Sequence, residues 1–105
     1  MTAKVYRIID AVAWQAAQKR GHFDGSADDA RDGFIHLSTA EQVPGTHEKH
    51  HGGKAGLLLL EIDAATLGAA LRYEPSRGGA LFPHLYAKLP VGAVTAVTSL
   101  EARSP

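Results

Sequence analysis

The spacing of hydrophobic and polar positions changes from segment to segment along this chain. Val5–Ile9 is a short β-branched run, which is typical of a strand. Asp10 follows as a residue able to cap a helix, and Val12–Arg20 is a helix-forming stretch that stops at Gly21. His22–Asp32 combines glycine and serine with four aspartates. We therefore predict a strand, a helix and then a solvent-exposed loop.

The middle of the chain predicts a strand followed by an interrupted helix. Along Gly33–Ser38, successive side chains would point to opposite faces of a strand, with His36 and Ser38 on the same face. Ser38 and Glu41 have the spacing of a capping box, so we expect a helix to begin near Thr39. The Pro44–Gly45 pair lies inside that pattern and should kink the helix or divide it in two.

The second half of the chain is richer in strand patterns. Gly56–Asp63 is a continuous apolar run between turn signals, which predicts a buried central strand. Asp63–Leu71 favours a helical turn or two, and Val94–Leu100 alternates as a final strand. Leu81–Lys88 indicates another strand, in which Pro83 should mark an edge or a bulge. Because strands and helices do not alternate regularly, the pattern predicts an α+β fold.

Composition narrows the classes of protein that this chain can represent. It has 105 residues, 45% of them hydrophobic, which suits one core and a single domain over residues 1–105. The formal net charge is +0, so no global positive field attracts nucleic acid. The lack of cysteine excludes disulfides and thiolate metal sites and fits a reducing compartment. Since no apolar run approaches a membrane span, we expect a cytoplasmic protein without membrane contact.

Candidate chemistry concentrates in two segments, Gly33–Thr39 and Glu74–Tyr86. In the first, His36 and Ser38 fall on one face of the predicted strand, just before a helix N-terminus. Free backbone N–H groups at such a terminus favour a phosphate, a carboxylate or another anion. The alternative is a structural histidine with a simple N-cap, and the spacing alone favours that alternative.

The second segment opens with Glu74, Ser76 and Arg77, which are followed by the flexible pair Gly78–Gly79. Arginine suits phosphate or carboxylate recognition, and adjacent glycines allow a ligand to approach the backbone closely. The alternative is a connection between strands that carries an exposed ion pair of little energetic value. The sequence does not separate these two interpretations.

Phe82, His84 and Tyr86 complete the segment on one face of its strand. An aromatic ring, an imidazole and a phenol together can stack a flat ligand and move protons. An ordinary core strand with a satisfied histidine is the alternative, and it is favoured when this motif is taken alone. Gln42 and Thr46, one helical turn apart, are further candidates against the simpler interpretation of solvent-facing helix positions.

A zinc-protease pattern, H-E-x-x-H, is present at His47–His51. The Pro44–Gly45 pair precedes it and Gly52–Gly53 follows it, so its helix is only one or two turns long. The longer continuation with a third histidine is absent. We interpret these residues as a solvated helix end, where cationic groups are favourable, and expect no metal site.

Taken together, the segments resemble the hallmark motifs of domain-of-unknown-function family 952 (DUF952), a group of small bacterial proteins. The three motifs follow one another in the family's order, at Gly33–Ser38, Glu74–Gly79 and Leu81–Tyr86. Weaker similarity near the N-terminus covers these residues: Val5–Ile9, Trp14, Gly21, Gly25, Ser26, Asp29 and Asp32.

The resemblance implies a fold of the ADP-ribosyltransferase type, in which a split and bent mixed sheet carries a few helices. In that fold type an early strand carries a histidine, followed two positions later by Thr or Ser, that helps to hold the ribose of a dinucleotide. His36 and Ser38 are similar to this feature. The late Glu-x-Glu loop of the toxin-like enzymes has no match, and fold analogy does not establish an activity.

Three hypotheses of function follow from these patterns. The first is an enzyme that acts on NAD, ADP-ribose or a related phosphorylated nucleotide, with NAD as a candidate substrate and no required cofactor. The second is a non-catalytic module that binds a small anionic metabolite. The third is a structural or partner-binding domain whose polar residues face apart.

The enzyme hypothesis assigns a role to each candidate residue. His36 orients a ribose, while Glu74 and His84 are candidates for proton transfer or for stabilising positive charge on the sugar. We expect the following residues to bind substrate: Ser38, Thr39, Gln42, Ser76, Arg77, Phe82 and Tyr86.

Overall fold

The computed structural model describes residues 3–51 and 55–100, without the side chains of His50, His51 and Arg77. In chain order the elements are β1 (Lys4–Asp10), α1 (Ala11–Arg20), β2 (His22–Phe23), α2 (Ala27–Asp32), β3 (Ile35–His36), α3 (Val43–His51), β4 (Leu57–Asp63), β5 (Leu71–Pro75), β6 (Leu81–Leu85), β7 (Leu89–Pro90) and β8 (Val94–Ser99). Short 3-10 turns occupy Ala40–Gln42, Ala64–Ala70, Arg77–Gly79 and Val91–Ala93. The predicted α+β class is confirmed.

The strands of the described chain form three sheets. The first has the order β1-β4-β8, so the apolar β4 is its central strand, as the sequence predicts. The second has the order β3-β6-β5, and the third pairs β2 with β7. Every pairing is antiparallel, so the expectation of one mixed sheet is wrong. Parallel neighbours need a crossover of a dozen or more residues, whereas β5 and β6 are joined by a short turn.

One hydrophobic cluster joins α1 to all three sheets. The fully buried side chains include Leu60 of β4, Leu85 of β6 and Leu89 of β7. Helix α1 contributes Trp14 and Ala17, which are three positions apart and therefore lie on one face. Within the described ranges, no helix is long and apolar enough to cross a membrane.

Helix α1 has the ends that the sequence predicts. The side chain of Asp10 accepts a hydrogen bond from the backbone N–H of Ala13 at 2.7 Å. Gly21 ends the helix with a φ of 91°, a left-handed conformation that favours glycine. Since Asp10 is also the last residue of β1, the strand and the helix are held at a fixed junction.

Leu37 and Ser38 connect the first sheet to the second. The backbone N–H of Leu37 donates to the carbonyl of Pro83 on β6. One residue later, Ser38 exchanges two backbone hydrogen bonds with Tyr6 of β1, at 2.7 and 2.8 Å. The chain therefore leaves β6 and joins β1 within two residues, which places His36 and Ser38 between the two sheets.

The predicted loop over His22–Asp32 is wrong. This segment forms β2 and the short helix α2, and Ser26 and Asp29 make a capping box at the start of α2. Asp29 is only 3% exposed. Its side chain bonds Arg7 and His36, so this one carboxylate is buried, whereas the other residues of α2 are exposed.

The prediction that Pro83 makes one part of its strand an edge is confirmed locally. β6 is the central strand of its sheet, but β3 pairs only with His84 and Leu85, so at Pro83 the regular pairing continues with β5 alone. A strand residue directs its N and its carbonyl to the same side. The carbonyl of Pro83 accepts a hydrogen bond from Leu37. The nitrogen of Pro83, which carries no hydrogen, therefore faces the same segment, just after the end of β3. Proline is tolerated there because the paired part of β3 stops at His36.

The segment after β3 differs from its prediction by one or two residues. Regular pairing covers Ile35–His36 instead of the whole of Gly33–Ser38. The capping box that follows is formed by Thr39 and Gln42 rather than by Ser38 and Glu41. The interruption near Pro44 is present as a change from a 3-10 turn to α3 at Val43.

Replacement of Leu60 by alanine tests the central position of β4. We expect Leu60→Ala to lower the free energy of unfolding by about 2–5 kcal/mol, because the side chain is 0% exposed and its loss leaves a cavity. Urea denaturation followed by circular dichroism measures the change. The matched control is Leu81→Ala, whose side chain is 54% exposed and whose effect should stay within about 0.5 kcal/mol. Equal losses in the two variants would contradict this core assignment.

Candidate functional site

A cavity of about 880 Å³ opens between β1, α2, α3 and β6. Its walls carry many of the polar side chains of the two predicted segments, together with several aspartates. The polar and aromatic lining residues are Tyr6, Arg7, Asp10, Phe23, Ser26, Asp28, Asp29, Arg31, Asp32, His36, Ser38, Thr46, Lys49, Ser76, Phe82 and His84.

Asp29 is the most densely bonded side chain of this cavity wall. Arg7 approaches both of its carboxylate oxygens, at 3.0 and 2.9 Å. The backbone N–H groups of Ser26 and His36 donate to it at 2.7 and 3.0 Å. Burial alone would raise the pKa of Asp29, but the Arg7 charge and these hydrogen bonds outweigh burial and lower the pKa to about 2.

His36 lies between two carboxylates of α2. Its Nδ1 is 2.6 Å from Oδ1 of Asp29, and its Nε2 is 2.9 Å from Oδ2 of Asp32. Only a doubly protonated imidazole donates to both carboxylates at once, because the neutral ring has one N–H. Both ring nitrogens thus lie within hydrogen-bond distance of carboxylates on α2, and these contacts hold α2 against β3.

His84 is the cross-strand partner of His36 and has a different environment. It is only 5% exposed, and Phe34 stacks on its ring with centroids 3.9 Å apart. Its Nδ1 lies 2.8 Å from Oε1 of Glu74. Among the described residues, Nε2 has no hydrogen-bond partner. His84 lines the cavity, whereas Glu74, the partner of its Nδ1, does not.

Glu74 also accepts a hydrogen bond from Tyr86, again at Oε1 and at 2.6 Å. The hydrogen bond from Tyr86, followed by that from His84, lowers the pKa of the Glu74 carboxyl below its usual value. The same hydrogen bond raises the pKa of the Tyr86 phenol. Glu74 is therefore ionised at neutral pH and acts only as an acceptor.

The cavity lining carries charges of both signs. Its carboxylates are Asp10, Asp28, Asp29 and Asp32, and its cationic side chains are Arg7, Arg31 and Lys49. The hydroxyls of Ser38 and Thr46 lie 3.2 Å apart, which ties α3 to the segment after β3.

The candidate residues from the sequence fall into two groups. His36, Ser38, Ser76, Phe82 and His84 line the cavity. The others take different positions. Glu74 lies behind His84, Tyr86 lines a smaller cavity of about 330 Å³, and the side chain of Arg77 lies outside the described part of the chain.

Thr39 and Gln42 hold local structure. The amide of Gln42 accepts from the backbone N–H of Thr39 at 3.0 Å and donates to the carbonyl of Leu81 at 2.8 Å. Both ends of this amide are thus used within the protein, and they attach the 3-10 turn before α3 to β6.

The H-E-x-x-H residues lie on α3, which is nine residues long. The side chains of His50 and His51 lie outside the described residues. Among the side chains that the structure does describe, no group of three or more histidine or acidic residues could hold a metal ion.

Sequence reasoning missed Asp29, Asp32 and Arg7 as parts of the site. One signal was available, because Ser26 and Asp29 have the three-residue spacing of a capping box, with aspartate in place of glutamate. The Arg7–Asp29 pair spans 22 residues and leaves no local pattern.

Comparisons with known proteins identify relatives of this chain. The profile described as "Protein of unknown function (DUF952)" matches residues 8–97. The X-ray structure of the Caulobacter crescentus protein CC0527 is similar, with 46% identity, a TM-score of 0.92, and coverage of 96% of this chain and 89% of that one. Its solution NMR structure gives a TM-score of 0.86, with the same identity and 87% of that chain covered. A search of curated proteins found no match. The chain belongs to the DUF952 family.

Replacement of Asp29 by asparagine tests the charge at the centre of the cavity wall. Since the folded pKa of about 2 lies below the ordinary value of 3.8, ionised Asp29 stabilises the fold above pH 3.8. This contribution, about 2 kcal/mol, is lost as the pH falls through 2. We expect Asp29→Asn to lower the free energy of unfolding by about 3 kcal/mol at pH 7, since Arg7 loses its partner. The loss should shrink toward pH 2.

The measurement is a series of urea denaturations between pH 2 and pH 7. Asp24→Asn is the control, because the Asp24 side chain is 46% exposed and pairs only with surface residues among those described. An Asp29→Asn protein with the pH profile of the wild type would refute the role assigned to this carboxylate.

Proposed function

We propose that this member of the DUF952 family is an enzyme in which His84 transfers a proton to or from a small anionic, nucleotide-like substrate held in the 880 Å³ cavity. The observation that carries the proposal is Nε2 of His84, which has no hydrogen-bond partner among the described residues although the ring is only 5% exposed. An unsatisfied buried polar atom costs about 1–3 kcal/mol, so such atoms are concentrated where a ligand satisfies them.

The surroundings of His84 favour proton transfer. An ionised Glu74 accepts from Nδ1, so the neutral ring carries its proton there and has a lone pair on Nε2. A carboxylate behind an imidazole also stabilises the imidazolium that forms when Nε2 takes a proton. His84 is therefore assigned the role of general acid–base, and Glu74 the role of its partner.

Lys49 supports an anionic substrate. It has no ion-pair partner among the described residues, and it lines the cavity together with the hydroxyl-bearing Ser38, Thr46 and Ser76. An anionic group that reaches Lys49 meets a positive charge that no carboxylate of the described residues pairs with. The volume lies within the roughly 300–1,000 Å³ that is usual for small-molecule sites.

NAD or ADP-ribose is the finer substrate class that we propose, with NAD as substrate rather than as a required cofactor. Its support is the resemblance of His36 and Ser38 to the ribose-binding strand of ADP-ribosyltransferase-like folds, and the fold assignment itself is part of the proposal. Because both nitrogens of His36 are engaged by aspartates, we assign it the positioning of α2. A cytoplasmic location, consistent with a chain that lacks cysteine, completes the proposal.

A thermal-shift screen with NAD, ADP-ribose and AMP tests substrate binding. A ligand at ~100 times its Kd should add about 2.7 kcal/mol, and so raise the unfolding midpoint by about 10 °C. Lys49→Gln should reduce the shift, because it removes the positive charge of Lys49 from the cavity lining. Lys19→Gln is the matched control, since Lys19 lies on α1 away from the cavity. No shift with any of the three ligands would refute the proposed substrate class.

Replacement of His84 by asparagine tests catalysis separately from binding. Asparagine has an N–H group able to reach Glu74 but has no counterpart of Nε2, so turnover of a bound ligand should fall about 10²–10⁴-fold. The thermal shift should be largely retained. His22→Asn serves as the control, because His22 is outside the cavity lining.

Mass spectrometry of the ligand after prolonged incubation with the wild type reports turnover. Unchanged ligand after demonstrated binding would refute the enzyme and favour a non-catalytic binding module.

A further inference from the structure

We infer that Tyr86 is a positioning residue for His84. Through the shared oxygen Oε1 of Glu74, Tyr86 holds the carboxylate in the orientation that keeps the proton of His84 on Nδ1 and leaves Nε2 without a proton. This inference rests on the proposed function, because it concerns the residue that we assign to proton transfer. It departs from the expectation that Tyr86 itself binds substrate.

The three residues form a hydrogen-bonded group, the Glu74 triad, on one face of the second sheet. Glu74 lies on β5, His84 lies on β6, and Tyr86 follows β6 by one residue. His84 and Tyr86 are two positions apart and so extend toward the same side. Both donate to Oε1 of Glu74, at 2.8 and 2.6 Å.

The identity of the shared oxygen is central to the argument. A carboxylate rotates about its terminal bond, and a single donor restrains that rotation weakly. Two donors that converge on Oε1 from different positions define where that oxygen lies. With Oε1 fixed, the Nδ1 edge of the His84 ring is fixed as well, and Nε2 takes the opposite direction.

Tyr86 is itself held in place by two contacts. The guanidinium of Arg72 lies 5.1 Å from the centroid of its ring, a cation–π distance. Phe34 contacts the Tyr86 ring at 5.3 Å between centroids and also stacks on His84 at 3.9 Å. Phe34 therefore sets the plane of the His84 ring, while Glu74 sets its rotation within that plane.

The charges of the triad agree with this direction of donation. The hydrogen bond to Glu74 raises the pKa of Tyr86, so the phenol keeps its proton. The same bond, together with the bond from His84, lowers the pKa of Glu74. The carboxylate therefore stays an acceptor for both neighbours, and His84 must donate from Nδ1.

Nitrogen NMR of the histidine rings tests the inference without any ligand. Two-bond ¹H–¹⁵N correlations of the ¹⁵N-labelled full chain report how the proton divides between Nδ1 and Nε2. Spectra are recorded over rising pH until the His84 signals stop changing, so that the ring is neutral. His84→Asn identifies the signals by their loss.

The wild type should show widely separated Nδ1 and Nε2 shifts for His84, the pattern of one tautomer with the proton on Nδ1. In Tyr86→Phe, which removes only the hydroxyl, the two shifts should move toward each other as the second tautomer gains population. Tyr73→Phe is the matched control, because Tyr73 is 47% exposed on the neighbouring β5 and has no hydroxyl bond among the described residues. It should leave the His84 shifts unchanged.

Glu74→Gln keeps the inference falsifiable if Tyr86→Phe folds poorly, which thermal denaturation reveals. Glutamine both donates and accepts, so the two shifts should converge in this variant too. Convergence with Glu74→Gln but not with Tyr86→Phe would overturn the role of Tyr86, since Glu74 would then orient the ring alone. No convergence in either variant would overturn the triad. The NMR result does not depend on the ligand screen or on turnover, so the failure of the proposed function is distinguishable from the failure of this inference.

Discussion

The rest of the site depends on the buried charge of Asp29. This one carboxylate binds Arg7 of β1, the N-terminus of α2 through Ser26, and both the backbone and the ring of His36 on β3. A charge with this little exposure is tolerable only because nearly all of its acceptor capacity is used. Three segments that are far apart in the sequence are thereby held in one cavity wall.

His36 and His84 are cross-strand partners, but their side chains have different hydrogen-bond partners. His36 has a carboxylate on each nitrogen and is thereby committed to holding α2. His84 has a carboxylate on one nitrogen only, and an aromatic ring covers its face. The same side chain, at positions directly paired in a sheet, is bonded at both ring nitrogens in one case and, among the described residues, at one ring nitrogen in the other.

The sequence predicts correctly those elements that depend on interactions between residues close together in the chain. The apolar run of β4 and the capped ends of α1 are readable because burial, capping and left-handed glycine leave marks within a few residues. Asp29 was misread because its burial depends on a partner distant in sequence, namely Arg7. The two predicted segments meet at the His36–His84 pair and contribute residues to one cavity lining, but the acidic wall of that cavity was not foreseen.

The passage of Leu37 and Ser38 from one sheet to the other has a consequence for how the protein is made. β1 pairs with β4, and β3 pairs with β6, so the strand pairings around the cavity join residues separated by much of the chain. Such nonlocal topologies fold slowly, because the entropy of closing long loops must be met before their contacts form. On the ribosome, β3 has no strand to pair with until β6 has been synthesised. The cavity is thus a property of the nearly complete chain, and a shortened product that stops before β6 has no His84 with which to form it.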